Sequence, residues 1–459
     1  MQRELPRIMI AATASGSGKT TIVCGLLRAF LDRGLKVASF KCGPDYIDPM
    51  FHGSVLGTSC RNLDTWFTDE NTTRYLMGRA AEGTDIAVVE GVMGFYDGVS
   101  TREGTASSYD LAQKTGTPVL LVVDCHGMSQ SVIPLIKGFV EYMPDRPVKG
   151  VILNRMSQKQ YEKLKPVIEE KLPIAVAGYI PVMDCMEFES RHLGLLLPDE
   201  VGRLQEKIES LAQVMEQTVN LDLILKLSAE AGKLQYQEPE IPVLKGEESP
   251  VRIGVAWDEA FCFYYKDNLE LLEKMGAQLI KFSPVHDREL PSGIHGLLLG
   301  GGYPELYARQ LSENTTMRQS VKKALEQKMP CLAECGGFMY LHRQIETMEG
   351  TRYEMAGVIE AETYNTRTLN RFGYLQLEGN KTSMLQGESE QIRGHEYHYY
   401  ESTRPGDGLM AIKADGEETY ACMHTTEYLL AGFPHLYYFS NPMVPWRFVS
   451  KCRDWMIQE

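Results

Sequence analysis

Short aliphatic and β-branched runs alternate with longer amphipathic stretches over residues 7–197, the runs falling at 7–12, 37–41, 85–90, 119–124, 150–154 and 176–180. A continuous apolar run bounded by turn residues is a strand buried on both faces, and such strands separated by helices predict a parallel, doubly wound α/β sheet. From Pro198 to about Gly232 the spacing becomes helical, with Leu204, Ile208, Leu211 and Met215 on one stripe, and a polar Pro/Glu stretch over 235–250 reads as a linker. The strand–helix alternation restarts at Val251, with runs at 251–257, 278–282, 296–299 and 330–334. The predicted division is therefore a first α/β domain at 1–197, a helix and linker at 198–250, a second α/β domain at 251–445 and a C-terminal tail at 446–459.

The chain has 459 residues, of which 43 % are apolar and 24 % charged, the profile of a globular protein with more than one core. Its 47 Lys and Arg against 61 Asp and Glu give a net charge of −14, which disfavours nucleic acid and anionic membranes as partners. Ten cysteines are scattered without a CxxC pair, as expected in a reducing cytoplasm. Neither a secretory signal nor a run of about 18 apolar residues is present.

The strand at 8–12 runs into Thr-Ala-Ser-Gly-Ser-Gly-Lys-Thr-Thr at 13–21 and then into helical spacing. This context predicts a phosphate loop. Gly16 and Gly18 let the backbone curl so that N–H groups, including that of Ser17, converge on phosphate oxygens at a helix N-terminus. Lys19 offers a point charge to the β/γ-phosphates, while Thr20 and Thr21 supply hydroxyls, Thr20 to Mg²⁺. The loop is a variant, with Thr13 where the strict pattern has glycine, and Ala14 stands where partner-activated dimeric ATPases carry an extra lysine.

Two further strand ends are rich in carboxylates. In Lys-Cys-Gly-Pro-Asp-Tyr-Ile-Asp at 41–48, Asp45 is a candidate Mg²⁺ ligand and Lys41, Tyr46 and Asp48 are candidates to face an acceptor; turn and capping roles for the two aspartates are the alternative. The run at 85–90 delivers Glu90 where a Walker-B acid sits, a second candidate for the metal, and Asp97 in the glycine-rich loop beyond is either a substrate contact or a turn residue. Together these groups predict phosphoryl transfer from ATP to a bound acceptor. If that acceptor is a carboxylate, an acyl phosphate forms that an amine or ammonia can attack.

In the second domain, Cys335 stands between the strand at 330–334 and a glycine-led helical stretch, the arrangement of a nucleophile elbow. Gly301, Gly302 and Gly336 are candidate oxyanion donors, and His435, in a late loop, is the candidate base. Cys331 reads as core. His395 and His398, three apart, lack an evident third metal ligand and read as structural support or substrate contacts. The aromatic cluster at 261–265 reads as core or as the wall of a large flat ligand site.

The phosphate loop, Lys-Cys-Gly-Pro-Asp-Tyr-Ile-Asp-Pro at 41–49, Glu-Gly-Val-Met-Gly-Phe-Tyr-Asp-Gly at 90–98, Gly-Gly-Gly-Tyr-Pro-Glu at 300–305, Ala-Glu-Cys-Gly-Gly at 333–337 and Gly-His-Glu-Tyr-His-Tyr at 394–399 resemble, in order and spacing, the cobyrinate a,c-diamide synthase family. The resemblance implies a dethiobiotin-synthetase-like P-loop domain fused to a class I glutamine amidotransferase domain. It implies that glutamine is hydrolysed at Cys335 and that ATP activates corrin carboxylates a and c for amidation by the released ammonia, with two ATP and two glutamine used. Triad amidotransferases carry glutamate two residues after the histidine, but Tyr437 stands there, so the resemblance implies a Cys335/His435 dyad whose histidine-orienting group is unidentified. Hydrogenobyrinate and nickel-sirohydrochlorin are rival tetrapyrroles, a regulatory ATPase with an inactive second domain is a rival class, and a homodimer stays open.

Overall fold

The computed structural model describes residues 1–99, 104–183, 198–244, 250–379 and 390–458. The chain divides into two compact units, Met1–Pro239 and Glu240–Glu459. In the first, strands β1 (Arg7–Ala12), β2 (Val37–Cys42), β3 (Cys60–Leu63), β4 (Ile86–Glu90), β5 (Val119–Asp124), β6 (Val148–Asn154) and β7 (Ala175–Ile180) form one sheet in the order β3-β2-β4-β1-β5-β6-β7. Every neighbouring pair is parallel. Such a sheet is covered on both faces, and all residues of β1, β2 and β4 are buried, which is why these runs are apolar without alternation. The chain leaves β1 toward β2 on one side and leaves β4 toward β5 on the other. The loops after β1 and β4 therefore flank the topological switch point, where such sheets hold ligands.

Helix α1 (Lys19–Asp32) carries Ile22, Val23, Leu26, Leu27 and Phe30 into the core over Ile8 and Ile10 of β1. The same core takes Leu211, Ala212 and Met215 of helix α2 (Pro198–Thr218), and Ile224 and Leu227 of helix α3 (Leu221–Ala229). The stretch read as a helix between domains thus belongs to the first unit, because its apolar stripe is buried on α1. The approach is close: a β-carbon on Gly25 would stand 2.8 Å from the Leu211 side chain and 3.0 Å from Met215. Beyond α3, residues Lys233–Gln235 pair antiparallel with Gln2–Glu4. Arg7, almost fully buried, donates to the carbonyls of Leu5, Thr115, Gly116, Ala231 and Gly232, tying three distant segments together.

The second unit contains strands β8 (Val251–Ala256), β9 (Ala277–Phe282), β10 (Gly296–Leu299), β11 (Cys331–Glu334), β12 (Arg371–Gly379), β13 (Gln391–His398), β14 (Leu409–Lys413), β15 (Thr419–Cys422), β16 (His424–Thr425), β17 (Leu429–Gly432) and β18 (His435–Leu436). One sheet runs β9-β8-β10-β11-β17-β16, parallel except at the β16 edge, and an antiparallel sheet runs β15-β14-β12-β13-β18. Of the stretch 446–459, expected as a tail, the described residues 446–458 lie in helix α5, which follows the short α4 (Gly336–Leu341) and spans Met443–Gln458; position 459 is outside the described residues. Its Val444, Phe448, Val449 and Cys452 are buried, and a β-carbon on Gly296 would stand 2.2 Å from the Cys452 sulfur. The amphipathic period of these residues has a partner in β10, and that packing makes them a core element.

If α2 is part of the first core, Leu211→Ala opens a cavity against α1 and costs about 2–5 kcal/mol. Thermal unfolding followed by calorimetry will show the first unit destabilised.

Candidate active sites

Gly18 caps the N-terminus of helix α1, and its φ of +89° is the left-handed conformation glycine adopts without strain. A β-carbon there would also stand 2.5 Å from Asn154 Nδ2, which donates to the Ser17 carbonyl at 2.9 Å. Asn154, at the end of β6, thus holds the loop from outside the motif. Gly16 is left-handed as well, with φ +75°. Lys19 folds back to donate to the carbonyls of Ala14 and Met93, placing its ammonium between the phosphate loop and the loop after β4. Burial, helped by Lys41, lowers its pKa to about 8. Thr21 follows Thr20 in the first turn of α1 and is partly buried.

Glu90 ends β4 fully buried. Its Oε1 accepts from Thr20 Oγ1 at 2.6 Å and from Lys41 Nζ at 2.8 Å. Lys41, the penultimate residue of β2, also meets Asp48 Oδ2 at 2.5 Å. Burial opposes the charge on Lys41, but Glu90, Asp48 and Asp45 outweigh it and hold the pKa well above the ordinary value. Asp48 follows the same logic with opposite sign: burial raises it, and Lys41 outweighs burial so that it sits below the usual carboxylate range. Asp45 differs. Its Oδ1 accepts from the Ile47 amide, and burial together with neighbouring Asp48 raises it to about 7. The expected residues Lys19, Thr20, Lys41, Asp45, Asp48 and Glu90 therefore form one electrostatic cluster.

Tyr46 is buried at the N-cap of the helix Ile47–Leu56. Asp97 is exposed and accepts from the Gly94 amide at 2.9 Å, so it shapes the loop after β4; its charge also supports that of Lys19. His52 had no sequence signal: it lies 3.6 Å from Glu90 Oε2 and 3.2 Å from Ser39 Oγ. Only its place on the buried face of a helix ending over β2 reveals it.

In the second unit, Cys335 has φ +47° and ψ −102°, a strained conformation for a residue with a side chain, at the junction of β11 and α4. Its amide donates to the Gly432 carbonyl at 2.8 Å. A β-carbon on Gly337 would stand 2.1 Å from the Leu299 carbonyl oxygen, so the elbow requires glycine there. One on Gly336 would stand 3.1 Å from the Gly302 amide nitrogen, and one on Gly301 would stand 2.4 Å from His435 Cε1. The expected glycines, the cysteine turn and His435 are thereby gathered at one place. Burial first, and then Glu305, pushes the Cys335 thiol up, while the Gly336 amide hydrogen-bonds the sulfur and opposes the shift. Burial lowers His435 to about 3 and raises Glu305 to about 7. The resting groups are thus a thiol and a neutral imidazole.

His395 and His398 pack beside His435 and Phe433. His395 stacks on His435, with centroids 5.1 Å apart at 20°, and its Nδ1 lies 3.1 Å from Tyr265 Oη. His398 stacks on Phe433 and bonds the Tyr400 carbonyl. Among the described residues no group of three His, Cys, Asp or Glu is placed to hold a metal ion. The 261–265 cluster supports the glycine turn: Phe261 packs on Tyr340, and Tyr264 Oη accepts from the Gly300 amide at 2.8 Å. Glu305 also lines a cavity of about 330 Å³.

Two classes of domain meet this geometry. Residues 8–195 match the CobQ/CobB/MinD/ParA nucleotide binding domain and residues 252–443 match the CobB/CobQ-like glutamine amidotransferase domain. The chain belongs to the cobyrinate a,c-diamide synthase family. It is 40 % identical over 447 residues to the cobyrinate a,c-diamide synthase of Caldanaerobacter subterraneus, covering 97 % of this chain and 98 % of that one. The proteins of the same name from Priestia megaterium (36 % over 456 residues, 97 % of each chain) and Listeria monocytogenes serotype 4b (38 % over 444 residues, 95 % of this chain and 97 % of that one) are similar throughout. No helix among the described residues is long and apolar enough to cross a membrane.

Asp45 gives a pH signature. In the folded chain its carboxyl stays protonated up to about 7, against a usual value of 3.8, so the wild type loses stability as pH rises between those values. Asp45→Asn keeps an oxygen for Ile47 and removes that loss. The variant unfolds several degrees higher at pH 8 and like the wild type near pH 4, measured by calorimetry across that range.

Proposed function

We propose that the protein amidates the a and c carboxylates of cobyrinate in cobalamin biosynthesis, using ATP to form acyl phosphates and glutamine as the source of ammonia. The observation that carries this reading is the Thr20–Glu90–Lys41–Asp48 chain beside a phosphate loop, on a polypeptide that also holds the Cys335 elbow. The first unit activates a carboxylate; the second makes the nitrogen that replaces its oxygen.

In the second unit, His435 takes the Cys335 proton and the thiolate attacks the amide carbon of glutamine. The C–N bond breaks as the proton passes to the nitrogen, ammonia leaves, and water hydrolyses the thioester to glutamate and free thiol. The Gly301, Gly302 and Gly336 amides are the proposed donors to the oxyanion. A buried, neutral thiol–imidazole pair keeps the cysteine inert until proton transfer is coupled to attack.

In the first unit, Gly16, Ser17, Gly18, Lys19, Thr20 and Thr21 bind the phosphates of ATP. A substrate carboxylate oxygen attacks the γ-phosphorus and ADP leaves; ammonia then attacks the acyl carbon, phosphate leaves, and the excess proton goes to solvent. Lys41 is a permanently charged group facing this exchange, and Asp48 fixes its ammonium. Lys41, Tyr46, Asp48 and Asp97 are assigned to the acceptor side. The donor set fits Mg²⁺: Thr20 and Glu90 offer hard oxygens, and Asp45 is a carboxyl whose ionisation a nearby dication would restore. When bound, Mg²⁺ supplies charge neutralisation on the transferring phosphoryl group. The nine described cysteines are all free thiols, which supports a cytoplasmic setting.

Purified protein incubated with Mg-ATP and glutamine, with cobyrinic acid in one arm and nickel-sirohydrochlorin and hydrogenobyrinate in the others, will convert cobyrinic acid through two successive amidations seen by mass spectrometry. Conversion of another tetrapyrrole alone overturns the substrate and keeps the mechanism. Cys335→Ala abolishes glutamine-dependent amidation while ammonia at high pH still supports it; a folded variant that has lost both activities overturns the division of labour.

A further inference from the structure

Tyr437 occupies the place from which triad amidotransferases orient their histidine, and it is committed to the core, buried edge-on against Tyr265 with centroids 5.1 Å apart at 72°. A carboxylate reaches the same imidazole from another direction. Glu334 ends β11, directly before the nucleophile, and is buried. Strand β17 lies parallel to β11 with Gly432 opposite Glu334, and the chain turns from there into β18. Glu334 Oε1 accepts from the Leu436 amide at 3.4 Å, which aims Oε2 at the ring of the preceding residue, 3.9 Å from His435 Nδ1. That separation is longer than a hydrogen bond, and catalytic contacts commonly tighten only when substrate is bound.

We propose that Glu334 is the positioning residue that orients His435 in the glutaminase reaction, in place of the glutamate that Tyr437 displaces. The inference rests on the glutaminase reading given above. Holding Nδ1–H toward Glu334 leaves Nε2 as the acceptor for the Cys335 proton, and the carboxylate stabilises the imidazolium that forms when that proton arrives. The imidazole is held on its other sides by the face of His395 and by Gly301, where any side chain would strike Cε1. One strand end thus supplies both the nucleophile and the group that aims its base, so their relative placement is fixed by a single peptide unit.

The ionisable groups around this pair are Tyr264, Tyr438 and Cys335 beside Glu334, and His395, His398 and Glu396 toward His435. They stay constant across the test, which compares wild type with Glu334→Gln, Glu334→Asp and Cys335→Ala in the full-length enzyme. Glu334→Gln lowers glutaminase kcat about 100-fold or more with little change in KM. The acid limb that the Glu334 carboxyl, raised to about 8 by burial, gives the wild-type pH profile is lost in this variant, and ammonia-dependent amidation is unchanged. Glu334→Asp recovers part of kcat. Wild-type kcat in Glu334→Gln, or a raised KM with kcat intact, overturns the proposal. Should Glu334→Gln fail to fold, Glu334→Asp decides: a lowered kcat with a displaced acid limb supports the assignment and unchanged kcat overturns it. Full glutaminase in Cys335→Ala refutes the glutaminase reading itself and is distinguishable from either result.

Discussion

A fully buried carboxylate at the end of a central strand is tolerable only when its charge is met, and the first unit is arranged around meeting the charge of Glu90. One of its oxygens takes both the Thr20 hydroxyl and the Lys41 ammonium, while His52 stands by the other. These contacts join α1, β2 and β4, three elements separated by long stretches of sequence. Because Thr20 lies in the first turn of α1, the same interaction that satisfies Glu90 also sets the phosphate loop against the strand end. Removing one partner leaves an uncompensated charge in the interior, so loop position, strand order and charge balance cannot vary independently.

The second unit solves a different problem. Its reacting groups are neutral at rest, the thiol raised and the imidazole lowered by burial, and the cost of the site lies in the backbone. The left-handed conformation of Cys335 is held because its neighbours leave no alternative: Gly337 lies against the Leu299 carbonyl, and the Cys335 amide is bonded to Gly432. Charge separation is thereby confined to the moment when a substrate carbonyl accepts the sulfur. In the proposed reaction, the standing charges of the first unit suit phosphates that arrive charged, and the neutral groups of the second suit a glutamine amide that arrives neutral.

What the sequence reveals and what it conceals divide along the range of the interaction. The phosphate loop and the Cys335 elbow were legible because their glycines answer to constraints within a few residues. The buried strands were legible because a parallel sheet leaves unbroken apolar runs. Residues 198–229 and 443–458 carry a visible apolar stripe, but a stripe does not name its partner, and only the packing on α1 and β10 assigns them to cores. Asn154, His52 and Glu334 were hidden for the same reason: each acts on a motif from a strand or helix whose neighbours are set by topology.

Glu334 shows why that limit matters for reading chemistry. Its position before the nucleophile would ordinarily hold an apolar strand residue, since the side chain enters the core. A carboxyl there is raised to about 8 by burial, and its hydrogen bond from the Leu436 amide is long, an arrangement that stability alone does not favour. The residue that the familiar spacing would select, Tyr437, is meanwhile packed as an aromatic core residue. An unfavourable carboxyl beside an imidazole, and a favourable aromatic where a carboxyl is usual, are two halves of the proposed exchange: the orienting carboxyl sits at the end of the nucleophile's strand instead of two residues after the histidine.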